Sequence, residues 1–207
     1  MWGVSKNIMV HAEAFLSNRG RSFVAEGGGV YLKYRFLSND DIHNHFRVAA
    51  FGRYSFNNSD IHQTAIDLNG HNSGYETGIV ATQLKKKFAF SSTLSILHAN
   101  DNGKEKFNFG DKNRNAVNYT LSAGKLVLPR EYSSYNQTNL NIMVEFLGQS
   151  NLNTGNSYLD IAPSVQLIFF SKMRVDIGYR YPLVKKLTRT AAEGFLLRLE
   201  YNFFNVY

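Results

Sequence analysis

The residues of this sequence that most readily suggest chemistry are its six histidines. Two of them, His43 and His45, form an "HNH" motif. On a strand, residues i and i+2 share a face and can bind one metal ion. However, the chain has no cysteine, no well-placed carboxylate completes a ligand set, and the pair falls in a predicted turn. We therefore predict a solvated turn here, with no metal site and no cofactor.

A second chemistry to consider is lipid hydrolysis by a serine and a histidine. His98 lies near Ser92 and Ser95 in sequence, on the outward parity of a predicted strand. The chain has no Gly-x-Ser-x-Gly motif. A polar residue at a membrane interface is the simpler interpretation, so we predict no catalytic residue and no enzyme. A lipid-modifying outer-membrane enzyme stays open as an alternative.

A third set consists of charged residues that alternate with apolar ones along many segments. We interpret this set as a polar network that lines the interior of a barrel. Its excess of positive charge on adjacent strands favours a mild preference for anions. Because a barrel of this size leaves a narrow interior, we favour an internal network of salt bridges and hydrogen bonds over an open ion pathway. The predicted members are His11, Glu13, Lys33, Arg35, Arg47, Arg53, Glu145, Asp160, Arg174, Asp176, Arg180, Arg198 and Glu200.

The elements that must position these residues are strands, because apolar and polar residues alternate with a period of two. High Tyr and Phe content and only three prolines favour the same structure. Most of the segments are close to the length of a tilted strand that crosses a bilayer. Ten strands are predicted, at 7–17, 29–37, 45–56, 74–84, 88–99, 116–126, 140–149, 157–170, 173–183 and 194–207.

The final segment, "GFLLRLEYNFFNVY", shows the choice between two folds. In a soluble barrel of the lipocalin kind, its apolar face would point inward. In an outer-membrane barrel the apolar face points to lipid, where an Arg or Lys near the midplane costs roughly 2–4 kcal/mol. Charges keep to one parity in nearly every strand. We therefore predict a single all-β domain, 1–207, that forms an antiparallel up-and-down transmembrane barrel, and keep a soluble lipocalin-like binding barrel as the rival.

The connections between the predicted strands mostly alternate in length, as they do in outer-membrane barrels. The segments 18–28, 57–73, 100–115, 150–156 and 184–193 are rich in Asn, Asp, Gly and Ser, which is typical of solvated loops. We predict that they are external, with both termini on the periplasmic side.

Composition excludes several other classes of protein. The net charge of +7 is scattered, and "KKK" at 85–87 is the only dense basic cluster, so no nucleic-acid partner is expected. No apolar run approaches a membrane helix, and no N-terminal signal segment is visible. With the strand pattern, this indicates a mature or trimmed form of an exported protein located in the outer membrane.

Two stretches resemble a known family. "GVSKNIMVHAEAF" resembles a strand of outer-membrane barrels identified as transporters of the phenol meta-pathway type. The segment "YLDIAPSVQLIFFSKMRVDIGYRYPL" and the final "FLLRLEYNFF" are similar to that family's last three strands. In the family, earlier strands usually precede the "GVS" strand, which implies twelve strands in the intact protein if this N-terminus is truncated. The resemblance implies uptake or efflux of small, often hydrophobic compounds, and no substrate-binding residue can be carried over.

The functional prediction is therefore passage of small solutes across the outer membrane, or a structural or interaction role in an envelope complex. The expected partners are outer-membrane lipid and lipopolysaccharide, and other envelope proteins. A final strand with alternating apolar residues and a terminal aromatic, Tyr207, resembles the signal that barrel-assembly machinery recognises.

Overall fold

The computed structural model describes residues 2–18, 23–107, 114–131, 134 and 136–202, and these form an all-β fold. Among these residues there is no helix, and so none with the length and apolar character needed to cross a membrane. The strands are β1 (Trp2–Gly3), β2 (Ile8–Ser17), β3 (Val24–Asp41), β4 (Asn44–Asn57), β5 (Gly74–Lys85), β6 (Phe88–Ala99), β7 (Asn115–Leu128), β8 (Asn139–Asn151), β9 (Ser157–Phe169), β10 (Met173–Lys185) and β11 (Gly194–Tyr201).

All the strands belong to one antiparallel sheet in which each strand pairs with the next along the chain. The ten predicted strands are confirmed, and β1 adds a two-residue strand that pairs with β2. The described part of the sheet is not closed, because no ladder joins β11 to β1 or β2 within it. Residues 203–207, which include the end of the last predicted strand and Tyr207, lie outside the described residues.

The first long connection is shorter than predicted, because the Gly27–Gly28–Gly29 run belongs to β3. A Cβ atom on Gly27 would lie 2.0 Å from the carbonyl oxygen of Phe56 in β4. Only glycine permits this close approach of the two backbones. The sequence placed Gly27 and Gly28 in a loop and began the strand at Gly29, whereas all three glycines lie in β3, where Gly27 lets the strand pack tightly against β4.

Large apolar side chains cover the outer face of the sheet. Leu32, Leu94, Ile142 and Leu199 are 50%, 60%, 53% and 70% exposed, although they lie in four different strands. In β6 the alternate residues Thr93 and Ser95 point to the other, more buried face. This confirms the predicted outward direction of the apolar parity. It is the opposite of the arrangement that a lipocalin-like apolar interior requires.

The connections gather at two ends of the sheet. One end, which we call the long-loop end, carries the described parts of loops 18–23, 58–73, 100–114, 152–156 and 186–193. The other, which we call the short-turn end, carries turns 42–43, 86–87, 129–138 and 170–172. Contacts confirm the first grouping, because loop 58–73 is hydrogen bonded to both 100–114 and 186–193.

Candidate functional site

The candidate site is the inner face of the sheet, which curves around an interior space. A cavity of about 380 Å³ is lined by residues from every strand from β4 to β10, for example Arg53, Asn118 and Arg180. These residues lie far apart in sequence. The curvature therefore brings charged residues of distant strands to one space, as the predicted interior network requires.

The most buried charge is Asp160 of β9, whose side chain is fully excluded from solvent. The Arg189 guanidinium donates hydrogen bonds to both of its carboxylate oxygens, at 2.8 Å to Oδ1. Arg180 Nε lies 3.5 Å from Oδ2. Arg189 also stacks over Tyr158, 3.9 Å from the ring centroid. Two predicted members, Asp160 and Arg180, thus meet here, whereas Arg189, which lies in a loop and carries no strand pattern, was missed.

A second cluster forms around Glu13 of β2. Its Oε1 lies 3.5 Å from His11 Nδ1 and 3.6 Å from an Arg53 guanidinium nitrogen in β4. The Arg53 guanidinium also lies 5.4 Å from the ring centroid of Tyr31 and donates a hydrogen bond to Asn69. Three predicted members therefore meet here, and Arg53 links them to loop 58–73.

A third cluster joins the last two strands. Glu200 lies 3.6 Å from Arg174, which faces it in the β10–β11 ladder, and 2.8 Å from Arg198. Arg198 faces Asp176 in the ladder but pairs along its own strand instead. Cross-strand pairing therefore holds for only one of the two charged positions in β11.

The remaining predicted members form no ion pair with these clusters in the described part of the chain. Arg35 donates hydrogen bonds to the Lys6 carbonyl and, at 3.5 Å, to Asn7 Oδ1. Arg47 pairs at 2.9 Å with Asp40, which was not predicted. Among the described residues, no ion pair within 4.0 Å includes Lys33, Glu145 or Asp176. In the described residues, strand register thus groups the ion pairs of the predicted set into three clusters and leaves a separate group of cations.

Loop 58–73, which we call the inward loop, is not the solvated loop that its composition predicted. Ile66 and Leu68 are only 3% and 2% exposed and pack with Leu97 of β6 and Phe107. Gln149 of β8 holds the loop backbone from the opposite wall. Its Oε1 accepts a hydrogen bond from the Ile66 N–H and its Nε2 donates one to the Ile66 carbonyl, both at 2.8 Å. The apolar run Ala65–Ile66, followed by Leu68, was the sequence signal for this burial.

The inward loop is also tied to its neighbours at the long-loop end. The Thr64 N–H donates to the Thr188 carbonyl at 3.0 Å, and the Thr188 N–H donates to Thr64 Oγ1 at 2.7 Å. The Asn102 amide donates to the carbonyls of Ser59 and His71, at 2.9 and 2.7 Å. These hydrogen bonds join the inward loop to loops 100–114 and 186–193. The inward loop therefore fills part of the interior at this end, beside the cavity of about 380 Å³ that it lines.

The short-turn end is different, because a cavity of about 500 Å³ opens there between β1–β5 and Asn202. The cationic residues Lys6, Lys33, Arg35 and Arg47 line it, and no carboxylate among the described residues does. Gly3 and Asn202 line the same cavity, so the two ends of the described sheet approach each other here. We call this space the cationic cavity.

The histidines form no reactive centre in the described part of the chain. His45 Nδ1 lies 2.8 Å from Asp40 Oδ1, and no three His, Asp or Glu side chains of the described residues group as metal ligands. His98 lies 2.7 Å from Asn115 Oδ1 and stacks on Tyr75. Ser95 instead points inward and donates to Glu76 at 2.6 Å, and Ser92 is about 20 Å along the strand from His98. The structure thus brings neither serine to His98.

Comparisons with protein-family models, with curated proteins and with solved structures gave no match. The resemblance to the phenol meta-pathway-type transporters therefore stays a prediction. What the chain does has to be argued from its own geometry.

Proposed function

We propose that this chain is a barrel of the bacterial outer membrane that admits small solutes to its interior and is obstructed at rest by the inward loop. The observation that carries the proposal is the distribution of side chains on the sheet. Large apolar groups cover its outer face and charged groups pair on its inner face. A bilayer favours this arrangement, because lipid solvates the apolar face and cannot solvate charges.

Aromatic residues support the membrane location. Tyr54 and Tyr75 face each other across β4 and β5 near the long-loop end and are 57% and 51% exposed. Phe88 and Phe90 are exposed near the short-turn end. Exposed aromatic residues near both ends of the strands are typical of the two interfaces of a membrane barrel. The long-loop end would then face outward, toward lipopolysaccharide, and the short-turn end would face the periplasm.

Solute passage is supported by the unequal ends of the interior. The cationic cavity provides space at the short-turn end, whereas the inward loop is held at the other end by hydrogen bonds and by the apolar cluster of Ile66 and Leu68 with Leu97 and Phe107. Such a loop can be displaced without unfolding the sheet. The expected partners are outer-membrane lipid and, through the final strand, the barrel-assembly machinery, together with other envelope proteins.

A structural role in the envelope is the second candidate. It is favoured by the ion-pair clusters around Glu13 and Asp160, which fill the interior beside the inward loop. A protein with this role would insert into membranes but would not conduct solutes.

The membrane location is tested by substitutions on the apolar face. Leu94→Arg places a charge on the outer face near the middle of β6. We expect it to destabilise the protein folded in vesicles, lowering its free energy of unfolding by about 2–4 kcal/mol. Leu152→Arg is the matched control, because Leu152 is equally exposed but lies in loop 152–156. Unfolding by urea in phospholipid vesicles gives both values. Equal effects of the two substitutions, or a wild-type protein that stays monomeric without detergent, would refute the membrane location.

Passage is tested by recording the purified protein in planar bilayers. We expect rare, brief openings of low conductance, because the inward loop must leave its position before ions pass. A protein that inserts but stays silent under all voltages would exclude passage and favour the structural role.

A further inference from the structure

The cationic cavity has an unusual balance of charge for an interior surface. Lys33 and Arg35 lie two positions apart on β3 and therefore share the inner face. Lys6 and Arg47 also line the cavity, and Arg47 pairs with Asp40, which also lies 2.8 Å from His45 and does not line the cavity. Glu200 of β11 is ion-paired with Arg174 and Arg198, and it does not line the cavity either. Asp176 does not line the cavity.

The cations have unused hydrogen-bonding capacity. Arg35 Nε is buried and has no hydrogen-bond partner among the described residues. Lys33 forms no ion pair with any residue in the described ranges. A buried N–H without an acceptor costs free energy, and two neighbouring cations repel each other. Both costs fall if an anion lies between them.

The walls of the cavity leave room for such an anion. Across the ladder from Arg35 lies Ala49, and across from Ala49 lies Val80 in β5. These side chains are smaller than those further toward the long-loop end, where Phe51, Tyr31 and Arg53 fill the interior. Ser5 and Asn202 add neutral polar groups at the rim. A guanidinium beside an ammonium favours planar or tetrahedral oxyanions, because these accept several hydrogen bonds at once.

We propose that the cationic cavity binds a small oxyanion, a carboxylate or phosphate group, between Lys33 and Arg35. This goes beyond membrane location and passage, since the site needs only the folded sheet. It would select anionic solutes from the short-turn end before they meet the inward loop.

The test is calorimetric titration of the protein in a non-ionic maltoside detergent, whose head group carries no phosphate. Inorganic phosphate and acetate are added separately, with sodium chloride holding the ionic strength constant. We expect saturable binding at one site for at least one of them, which also tells a phosphate site from a carboxylate site. Lys33→Gln should weaken binding at least tenfold, and Lys33→Arg should keep it within about threefold of the wild type, since the charge remains.

Two further variants make the result specific. Arg174→Gln removes a cation that does not line the cavity, and it should leave the affinity unchanged. Asp40→Asn releases Arg47 from its ion pair and should tighten binding. If Lys33→Gln fails to fold, Arg35→Lys serves in its place, because it keeps the charge but loses the buried Nε–H and should weaken binding.

The proposal is overturned if neither anion binds above the chloride background, or if Lys33→Gln and Arg174→Gln have equal effects. Both outcomes are independent of the bilayer. A protein that is soluble without detergent would refute the membrane location and still leave this binding measurement valid.

Discussion

The two ends of the interior differ in whether their charged side chains are paired. At the long-loop end, Asp160 has no exposed surface and contacts two guanidinium groups, and Glu13 pairs with Arg53 and His11. At the short-turn end, Lys33 and Arg35 share a cavity in which no carboxylate of the described residues lies. The inward loop covers the first group, whereas nothing in the described chain fills the second.

This difference follows from the cost of desolvation. A charge that is removed from water must be paired and hydrogen bonded, or it strongly destabilises the fold. A charge beside a water-filled space keeps part of its hydration, so it can stay unpaired at little cost and is free to bind a ligand. The paired end is therefore expected to govern stability, and the unpaired end is expected to govern binding. The predictions below test this division.

The largest effect is expected at Asp160. Asp160→Asn leaves the buried Arg189 without a carboxylate and removes the contact of the more exposed Arg180, which should lower the free energy of unfolding by about 3–5 kcal/mol. Asp40→Asn, which breaks the exposed pair with Arg47, is the matched control and should have little effect on stability. Urea unfolding followed by circular dichroism measures both. Similar stabilities of the two variants would show that the ends do not differ.

A smaller effect is expected at Gln149. Gln149→Leu leaves the N–H and carbonyl of Ile66 without partners, at a cost of about 1–3 kcal/mol. Because these bonds hold the inward loop, the openings of the variant in planar bilayers should be longer and more frequent. Gln166→Leu makes the same substitution near the short-turn end, where Gln166 accepts a hydrogen bond from Asn141 at 3.0 Å. An increase in openings for Gln166→Leu as well would argue against a gating role of the inward loop.

A still smaller effect concerns Asp101, in loop 100–114 at the long-loop end. The Phe107 N–H and the Arg114 guanidinium donate to Asp101 Oδ1 at 2.9 and 2.7 Å, and these bonds hold the pKa of the carboxyl below its ordinary value. Because the pKa is lowered on folding, the contribution to stability is full above the ordinary Asp pKa of about 4 and is lost as pH falls through the lowered value.

Arg114→Gln should raise the pKa of Asp101 only in part, because the bond from the Phe107 N–H is the larger cause of the shift and remains. The chemical shift of the Phe107 amide, followed by NMR from pH 6 to pH 2, reports the titration. Lys104→Gln is the control for a cation of the same loop. A full return to the ordinary pKa in Arg114→Gln would show that the ion pair, not the backbone bond, holds the loop.

The smallest effect on stability is expected at Lys33. Lys33→Gln removes a cation without an ion pair among the described residues and relieves its repulsion from Arg35, so the free energy of unfolding should stay the same or rise slightly. Urea unfolding in the absence of phosphate and acetate tests this. A loss of stability as large as that of Asp160→Asn would mean that the two ends are alike.

The face of the sheet on which a side chain lies could be predicted from single segments. The alternation in "FAFSSTLSILHA" places Leu94 and Ile96 on one face and Thr93 and Ser95 on the other, whatever the rest of the chain does. The reason is local, because successive side chains of a strand always point to opposite faces. The direction of the apolar face followed from the large number of charged residues on the other parity.

Pairing between side chains could not be predicted in this way. Arg189 and Asp160 are 29 residues apart, and Gln149 and Ile66 are 83 apart. Their contacts depend on strand register, on sheet curvature and on the path of a loop, none of which is encoded in a period of two. For the same reason the sequence gives no indication of how the thirteen predicted inner residues divide into separate clusters.

The sequence alone therefore determined the strands, their order and, outside the 74–84 segment, which side chains face inward, because these depend on local geometry and on the cost of desolvating charge. Only the tertiary structure decided that the inward loop closes one end and that Lys33 and Arg35 stand without a carboxylate at the other. Those outcomes depend on which distant residues the curved sheet brings within a few ångströms of each other.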